Sequence, residues 1–302
     1  MEEVNMSKAY VSLERERRRL QLLFVLPLVL SIIVLVAVPI ASLIGISFTS
    51  LNFGKKDVSF LGFGNYSQLI SDPDFINAFI NTVIMLVGTV SLQMLLGVVI
   101  ALIIHKTPFM QGTIRTIILF PMIIPPIIVG IMWRVLLLPK YGSFNVMLAD
   151  LGFSNVPDWL SSPTLAMMTI ILVAVWEWTP FVVLFVLAGL EGQPASPYEA
   201  IKIDGANWWQ EIRYLTLPLL KPILGIVVMF RIVEGLKIFP LVFSLTEGGP
   251  GSATVDFAYY VYKEGFSYLR LGYASAAAML VFAILLLAIY IIIKIGNRRK
   301  KG

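Results

Sequence analysis

The chain has 302 residues, 58% of them hydrophobic and only 14% charged, with a net charge of +5 and a mean hydropathy of +0.86. Soluble domains carry about 25% charged residues, so this apolar excess excludes a soluble globular fold and indicates an integral membrane protein. With no cysteine and a single histidine, disulfides, zinc ribbons, iron–sulfur clusters and thiol nucleophiles are excluded together.

Six stretches are long enough to cross a hydrocarbon core ~30 Å thick: residues 22–48, 79–104, 116–138, 165–190, 219–243 and 273–295. None alternates with period two, so the expected fold class is all-α, a polytopic protein with six transmembrane helices, and not a β-barrel. Arg15, Arg17, Arg18 and Arg19 precede the first stretch. It is longer than a signal h-region and has no small-residue cleavage site after it, so it reads as a retained helix. Pro121, Pro125 and Pro126 in the third stretch, and Pro180 in the fourth, remove backbone donors and predict kinks or interruptions. Fifteen Lys and Arg fall on one side (residues 1–21, 105–115, 191–221 and the tail from Lys294) against five on the other. That bias places both termini in the cytoplasm. The expected organisation is a cytoplasmic segment 1–21, a six-span domain 22–295 and a basic tail 296–302. In that tail Arg298, Arg299, Lys300 and Lys301 face anionic lipid.

The loop 191–218, between spans four and five, holds the most specific local signals. Ser196-Pro197-Tyr198-Glu199 has the form of a helix start, with Ser at the N-cap, Pro first in the helix and Glu199 closing a capping box. Asp204-Gly205 ends that helix, because glycine takes φ > 0 without steric cost. A second helix over about 207–214 leads to Leu217-Pro218, giving a cytoplasmic helix–turn–helix. Trp208, Trp209 and Tyr214 need a partner there, either lipid headgroups or another protein. Glu199 has two compatible readings, a capping carboxylate and a charged contact with that partner.

These residues resemble the EAA loop in permease subunits of binding-protein-dependent importers of the ATP-binding-cassette (ABC) class. That motif reads Glu-Ala-Ala, three residues, Gly, nine residues, Ile, one residue, Leu-Pro. Glu199-Ala200-Ile201, Lys202-Ile203-Asp204, Gly205, nine residues through Tyr214 and Leu215-Thr216-Leu217-Pro218 keep every spacing, with Ile201 for the second Ala and Leu215 for Ile. Leu61-Gly62-Phe63-Gly64-Asn65-Tyr66, Asp72-Pro73, Asn81-Thr82, Trp176-Glu177-Trp178-Thr179-Pro180-Phe181 and Leu245-Thr246-Glu247-Gly248-Gly249-Pro250 are similar to segments of the sugar-type (maltose- and glycerol-phosphate-like) permeases, the last pointing to the first-permease type. The resemblance implies a subunit forming half of the pathway for a sugar or related solute delivered by an extracytoplasmic binding protein. Glu199, Ala200, Ile201, Asp204, Gly205, Ala206, Leu217 and Pro218 would couple it to an ATPase. The implied partners are a second six-span permease, two ATP-binding subunits and the binding protein, in a bacterial or archaeal cytoplasmic (inner) membrane. ATP and Mg would be used by the ATP-binding partner, not by this chain, and no Gly-x-x-x-x-Gly-Lys-Ser/Thr phosphate loop occurs in it.

Glu177 and Arg231 fall near the middle of spans four and five, where each charge needs a partner or a wet cavity. Their equal depth makes an ion pair geometrically possible, and Glu234 and Lys237 continue the stripe from Arg231. A structural salt-bridge network and direct contact with solute both remain open. Trp176, Trp178, Phe230, Phe239 and Asn81 offer the aromatic faces and polar groups that bind sugars, while packing against protein or lipid accounts for each of them too. Arg134 reads as snorkelling and His105 as a capping or headgroup residue. No catalytic constellation or metal-ligand cluster lies in the spans. A secondary transporter or channel subunit would also show intramembrane charges, but it gives no reason for the spacing of the cytoplasmic loop.

Overall fold

The structure is a computed structural model that describes residues 17, 20, 21, 23–107, 111–153 and 156–298. Most of the expected segment 1–21 and of the tail 296–302 lies outside the described residues, including Arg15, Arg18, Arg19, Arg299, Lys300 and Lys301. In chain order the helices are α1 (Leu23–Ser47, π-helical over Ile33–Ala37), α2 (Gly64–Ile70), α3 (Pro73–Lys106), α4 (Gln111–Ile123), α5 (Pro126–Leu136), α6 (Ser143–Asp150), α7 (Pro163–Glu191), α8 (Ala195–Ile203), α9 (Trp208–Gly235, π-helical over Ile212–Thr216), α10 (Phe239–Leu245), α11 (Phe257–Tyr262) and α12 (Leu271–Arg298). Among the described residues no strand forms beyond an isolated bridge between Thr49 and Phe60. Helices α1, α3, α7 and α9 are long and apolar enough to cross a membrane, and a fifth span results if α4 and α5 count as one. The apolar helix Leu271–Leu287, within α12, is shorter. The chain is an all-helical, multi-pass membrane protein.

Sequence accounts for the starts and breaks of these helices. Asp72 Oδ1 accepts from the backbone N–H of Asp74 at 2.8 Å and of Phe75 at 3.4 Å, just before Pro73 opens α3. Ser162 does the same for Leu165 at the start of α7, again with proline in the first turn. Both combine a side-chain cap with a residue that has no N–H to leave unpaired. The third apolar stretch breaks at Ile124–Pro125, and the two helices on either side meet at 98°. Pro121 and Pro180 stay inside their helices, so of the four prolines only the adjacent pair Pro125-Pro126 interrupts. Span five, expected to be continuous, separates into α9 and α10 at residues 236–238.

Two compact units are present, residues 1–69 with 261–302, and residues 70–260. In the larger one α7 is apolar on all sides and is the most buried candidate span, as expected for a helix with neighbours all round. It packs against α3 and α9 through Ala101, Ile104, Val182, Val186, Leu187, Leu220 and Val227. Lipid is as apolar as leucine, so close packing holds such helices together in place of transfer from water. Gly97 lets α3 approach α7, since a Cβ there would collide with Val182. Further along, the Asn77, Asn81 and Thr82 side chains of α3 grip the segment 252–257. Asn77 donates to the Ser252 carbonyl, Asn81 to those of Ser252 and Val255, and the Phe257 N–H donates to Thr82 Oγ1. Asp256, fully buried in that segment, accepts from the Ala258 and Tyr259 N–H groups, yet burial pushes its carboxyl up to about 6.

In the smaller unit α12 packs along α1. Asn65 on α2 donates to the Ser47 and Thr49 carbonyls at 2.8 and 2.9 Å. The Gly272 N–H donates to Leu51 O at 2.9 Å, closing the turn that follows α1 onto the start of α12.

Gly97→Val should lower the stability of the detergent-solubilised chain by about 1–3 kcal/mol. Gly225→Ala, where an added Cβ meets nothing within 4 Å, should not lower it; chemical-unfolding curves of the two variants compare them directly.

Candidate functional site

Within the larger unit a cavity of about 340 Å³ opens between α3, α7, α9 and α10, and its lining includes Gln93, Glu177, Trp178, Arg231, Glu234 and Lys237. Arg231 and Glu177 are 2% and 1% exposed, so charge is held here away from bulk water. The Arg231 Nε–H donates to Gln93 Oε1 at 2.9 Å, and the Gln93 amide donates onward to the Ala174 carbonyl at 2.9 Å. The guanidinium lies 4.8 Å from the Trp178 ring centroid and 5.9 Å from that of Phe181, where a ring face stabilises a cation poorly solvated by anything else. Arg231 Nη1 and Glu177 Oε1 have no hydrogen-bond partner in the structure. Among the described residues no ion pair within 4.0 Å joins these two, although each lies in the other's field. The pairing that equal depth made possible is therefore not a direct contact. Arg231 instead binds a neutral amide from a third helix.

Gln93 was not singled out from the sequence. The signal was available: it is the single Gln in the stretch 79–104, and an amide in that environment must find partners. The other candidate pathway residues divide. Glu177, Trp178, Arg231 and Glu234 line the cavity, with Glu234 paired to Lys237 at 2.8 Å. Asn81 is spent on the carbonyls of 252–257. Trp176 meets Trp133 edge-on at 5.5 Å. Phe230 lies against Phe181, and Phe239 against Phe243 and Tyr259. Arg134, expected to snorkel, forms an ion pair with Glu247 at 2.7 Å.

The loop 191–218 forms the expected helix–turn–helix, with two corrections. Helix α8 starts at Ala195 after Pro194, with no side-chain cap, so Ser196 is not its N-cap and Glu199 closes no capping box. Among the described residues the Glu199 side chain makes no hydrogen bond or ion pair, and no residue of α8 is buried. The capping box occurs one helix later. Asn207 Oδ1 accepts from the Gln210 N–H at 3.0 Å, and Gln210 Oε1 accepts from the Asn207 N–H at 2.8 Å. Between the helices Gly205 has φ +76°. Its N–H donates to Lys202 O at 3.1 Å and that of Ala206 to Ile201 O at 3.2 Å, the paired closure of a Schellman motif. The second correction concerns the second helix, which is not a separate short piece. It runs without a break from Trp208 to Gly235, and its π-helical turn at Ile212–Thr216 lies just before Leu217 and Pro218. Since Pro218 has no N–H, that altered register sits where an α-helical bond would be missing anyway.

The helix pair is tied to the spans by polar contacts. The Tyr198 hydroxyl bonds to Gln193, and to Thr216 Oγ1 at 3.1 Å, which joins α8 to the end of α7 and to the π turn. Lys106 at the end of α3 lies 4.9 Å over the Trp208 ring and 3.9 Å from Glu211. Behind the pair lies a cavity of about 600 Å³. Facing out are Ile203, Trp209 and Tyr214, each more than 60% exposed.

A family model described as "binding-protein-dependent transport system inner membrane component" matches residues 93–302. The probable ABC transporter permease protein y4oQ of Sinorhizobium fredii is 37% identical over 91% of this chain and 90% of its own length. The trehalose/maltose transport system permease protein MalF of Thermococcus litoralis is 34% identical over 95% and 97%. The sulfoquinovosyl glycerol transport system permease protein SmoG of Agrobacterium fabrum is 34% identical over 88% and 87%. A chain in the crystal structure of a bacterial ABC transporter that imports the acidic polysaccharide alginate superposes with a TM-score of 0.84 over 94% of this chain and 97% of that one, at 23% identity. It supports the fold.

Gln93→Leu should cost about 1–3 kcal/mol in unfolding experiments, because the Arg231 Nε–H loses its acceptor in a buried site. In an Arg231→Met background the same change should cost less than ~0.5 kcal/mol. A cycle between Glu177→Gln and Arg231→Met should give a smaller coupling than the Gln93–Arg231 cycle.

Proposed function

The chain belongs to the family of binding-protein-dependent transport system inner membrane components, and we propose that it is the permease subunit of an ATP-driven importer for a sugar or a related polyhydroxylated solute. The relatives named for trehalose, maltose and sulfoquinovosyl glycerol transport support that substrate class. So does the cavity around Arg231, whose lining combines the Gln93 amide, Glu177, Arg231 and the Trp178 ring, groups that suit the hydroxyls and the C–H face of a sugar. In this reading six spans cross the membrane: α1, α3, the broken pair α4–α5, α7, α9 with α10, and α12. The basic excess places both termini, with segment 1–21 and tail 296–302, in the cytoplasm of a bacterial or archaeal cell. A second six-span permease completes the pathway, two ATP-binding subunits use ATP and Mg, and an extracytoplasmic binding protein delivers the solute. A structural neighbour determined with a periplasmic binding protein is consistent with that assembly.

One observation carries the mechanism: the helix that leaves the Gly205 turn is the helix that bears Arg231. At 1.5 Å per residue α9 is about 40 Å long. A push on the α8–α9 pair by a closing ATPase dimer therefore reaches the cavity through backbone hydrogen bonds, with no intervening loop. Glu199, Ala200, Ile201, Asp204 and Ala206 form the contact surface on the near side of the turn, Gly205 fixes its shape, and Leu217-Pro218 lie where the helix passes into the span. The α9–α10 break at residues 236–238 lets the outer half respond separately, so that rocking of α9 alternates access to the cavity.

The chain has no native cysteine, so a cysteine at Ala200 can be crosslinked alone. It should capture the ATP-binding subunit in the assembled importer, and a cysteine at Gly249 should not. Capture from Gly249 would invert the orientation.

A further inference from the structure

The smaller unit contains a second polar cavity, of about 390 Å³, that has no part in the pathway proposed above. It lies between the segment that follows α1 and the start of α12, and its volume is in the range of small-molecule sites, roughly 300–1,000 Å³. Its lining is dominated by neutral hydrogen-bonding groups, among them Ser50, Asn52, Asn65 and Gln68, with Lys55 and Arg270 as its cations and no carboxylate. The walls are fixed. Asn65 holds the Ser47 and Thr49 carbonyls, Ser50 and Ser59 share a hydroxyl hydrogen bond at 3.0 Å, and Asn52 Oδ1 accepts from the Gly54 N–H. Arg270 is neutralised by its ion pair with Glu264 and lies 4.9 Å over the Tyr273 ring, so its guanidinium plane is set in place.

Among the described residues the side chains of Gln68 and Lys55 make no hydrogen bond or ion pair. The Asn52 amide nitrogen is also uncommitted, while its carbonyl oxygen is used. Planar amides, hydroxyls and a fixed guanidinium around this pocket supply both donors and acceptors at close spacing, which matches vicinal hydroxyls. They match an apolar ligand poorly, because the polar walls would be left unpaired. One uncompensated cation is too little charge to define a phosphate site.

We infer that this pocket is a second carbohydrate site, placed by the same topology on the extracytoplasmic face, where it binds a sugar unit outside the translocation cavity. The inference rests on the reading of the chain as a sugar permease. In sequence it belongs to the segments 49–68 and 270–273, so it is separable from the Arg231 cavity by chemistry alone.

The test uses the complete importer in lipid nanodiscs, labelled with diazirine-tagged glucose, trehalose and maltose and mapped by peptide mass spectrometry. Saturable adducts competed by untagged sugar are expected in residues 49–68 and, separately, in 174–241. Gln68→Leu with Lys55→Met removes two side chains with no structural partner. The double variant should cut the adduct yield in 49–68 about tenfold, equivalent to ~1.4 kcal/mol, and leave that in 174–241 intact. Labelling of 174–241 with no saturable adduct in 49–68, or an outer adduct indifferent to the double variant, would overturn the second site and leave the permease reading standing. Labelling in neither segment would count against both.

Discussion

A guanidinium inside an apolar bundle demands acceptors and a polarisable wall, and much of the larger unit's interior supplies these to Arg231. Gln93 on α3 gives the acceptor, the Ala174 carbonyl on α7 fixes Gln93, and Trp178 and Phe181 give the wall. Three helices thereby have their rotation about their own axes specified by one side chain, which apolar packing in lipid specifies only weakly. A neutral amide suits this task. A carboxylate in direct contact would pair with the charge, whereas Gln93 binds Arg231 through one nitrogen and keeps it in the wall of the cavity.

The second constraint is that backbone groups within a membrane must be paired inside the protein. Interruptions are therefore informative. The α4–α5 bend and the α9–α10 break both contribute to the wall of the Arg231 cavity through Pro126, Lys237 and Ile238. At the opposite end α9 meets the Gly205 turn, and the π-helical turn at Ile212–Thr216 absorbs Pro218 without breaking the rod. Breaks thus occur where a cavity is lined, and continuity is kept between the Gly205 turn and Arg231.

Much of this was legible in the sequence, where the signal was local and had no rival. The all-helical, multi-pass character followed from apolar length, with four helices long enough to cross a membrane, or five if the bent pair counts as one, where six were expected. The α4–α5 break followed from the adjacent prolines, and the Gly205 turn from the one residue type that accepts φ +76° at no cost. The start of α8 was misread because two start signals overlap. Ser196-Pro197-Tyr198-Glu199 is a well-formed cap by itself, but Pro194 takes an extended conformation and lets the helix begin at Ala195. The capping box at Asn207 and Gln210 was hidden beside the louder aromatic pair Trp208-Trp209. Partner choice across helices could not be read at all. Equal depth favours Glu177 as the partner of Arg231, but depth says nothing of azimuth, and Gln93 holds the right face. Asn81 shows the converse, a polar residue in a span that serves an adjoining loop and not the cavity.

The account turns on α9 moving as one rigid rod between the coupling turn and the cavity. Spin labels at the exposed positions Trp209 and Met229 should stand about 30 Å apart along the helix, measurable by pulsed electron paramagnetic resonance in the assembled importer. With and without ATP that separation should stay constant, while the distance from Trp209 to a label at Met168 on α7 changes. A shift of the Trp209–Met229 distance by more than about 3 Å, two residues' rise, would make the π-helical turn a hinge and contradict direct transmission to Arg231.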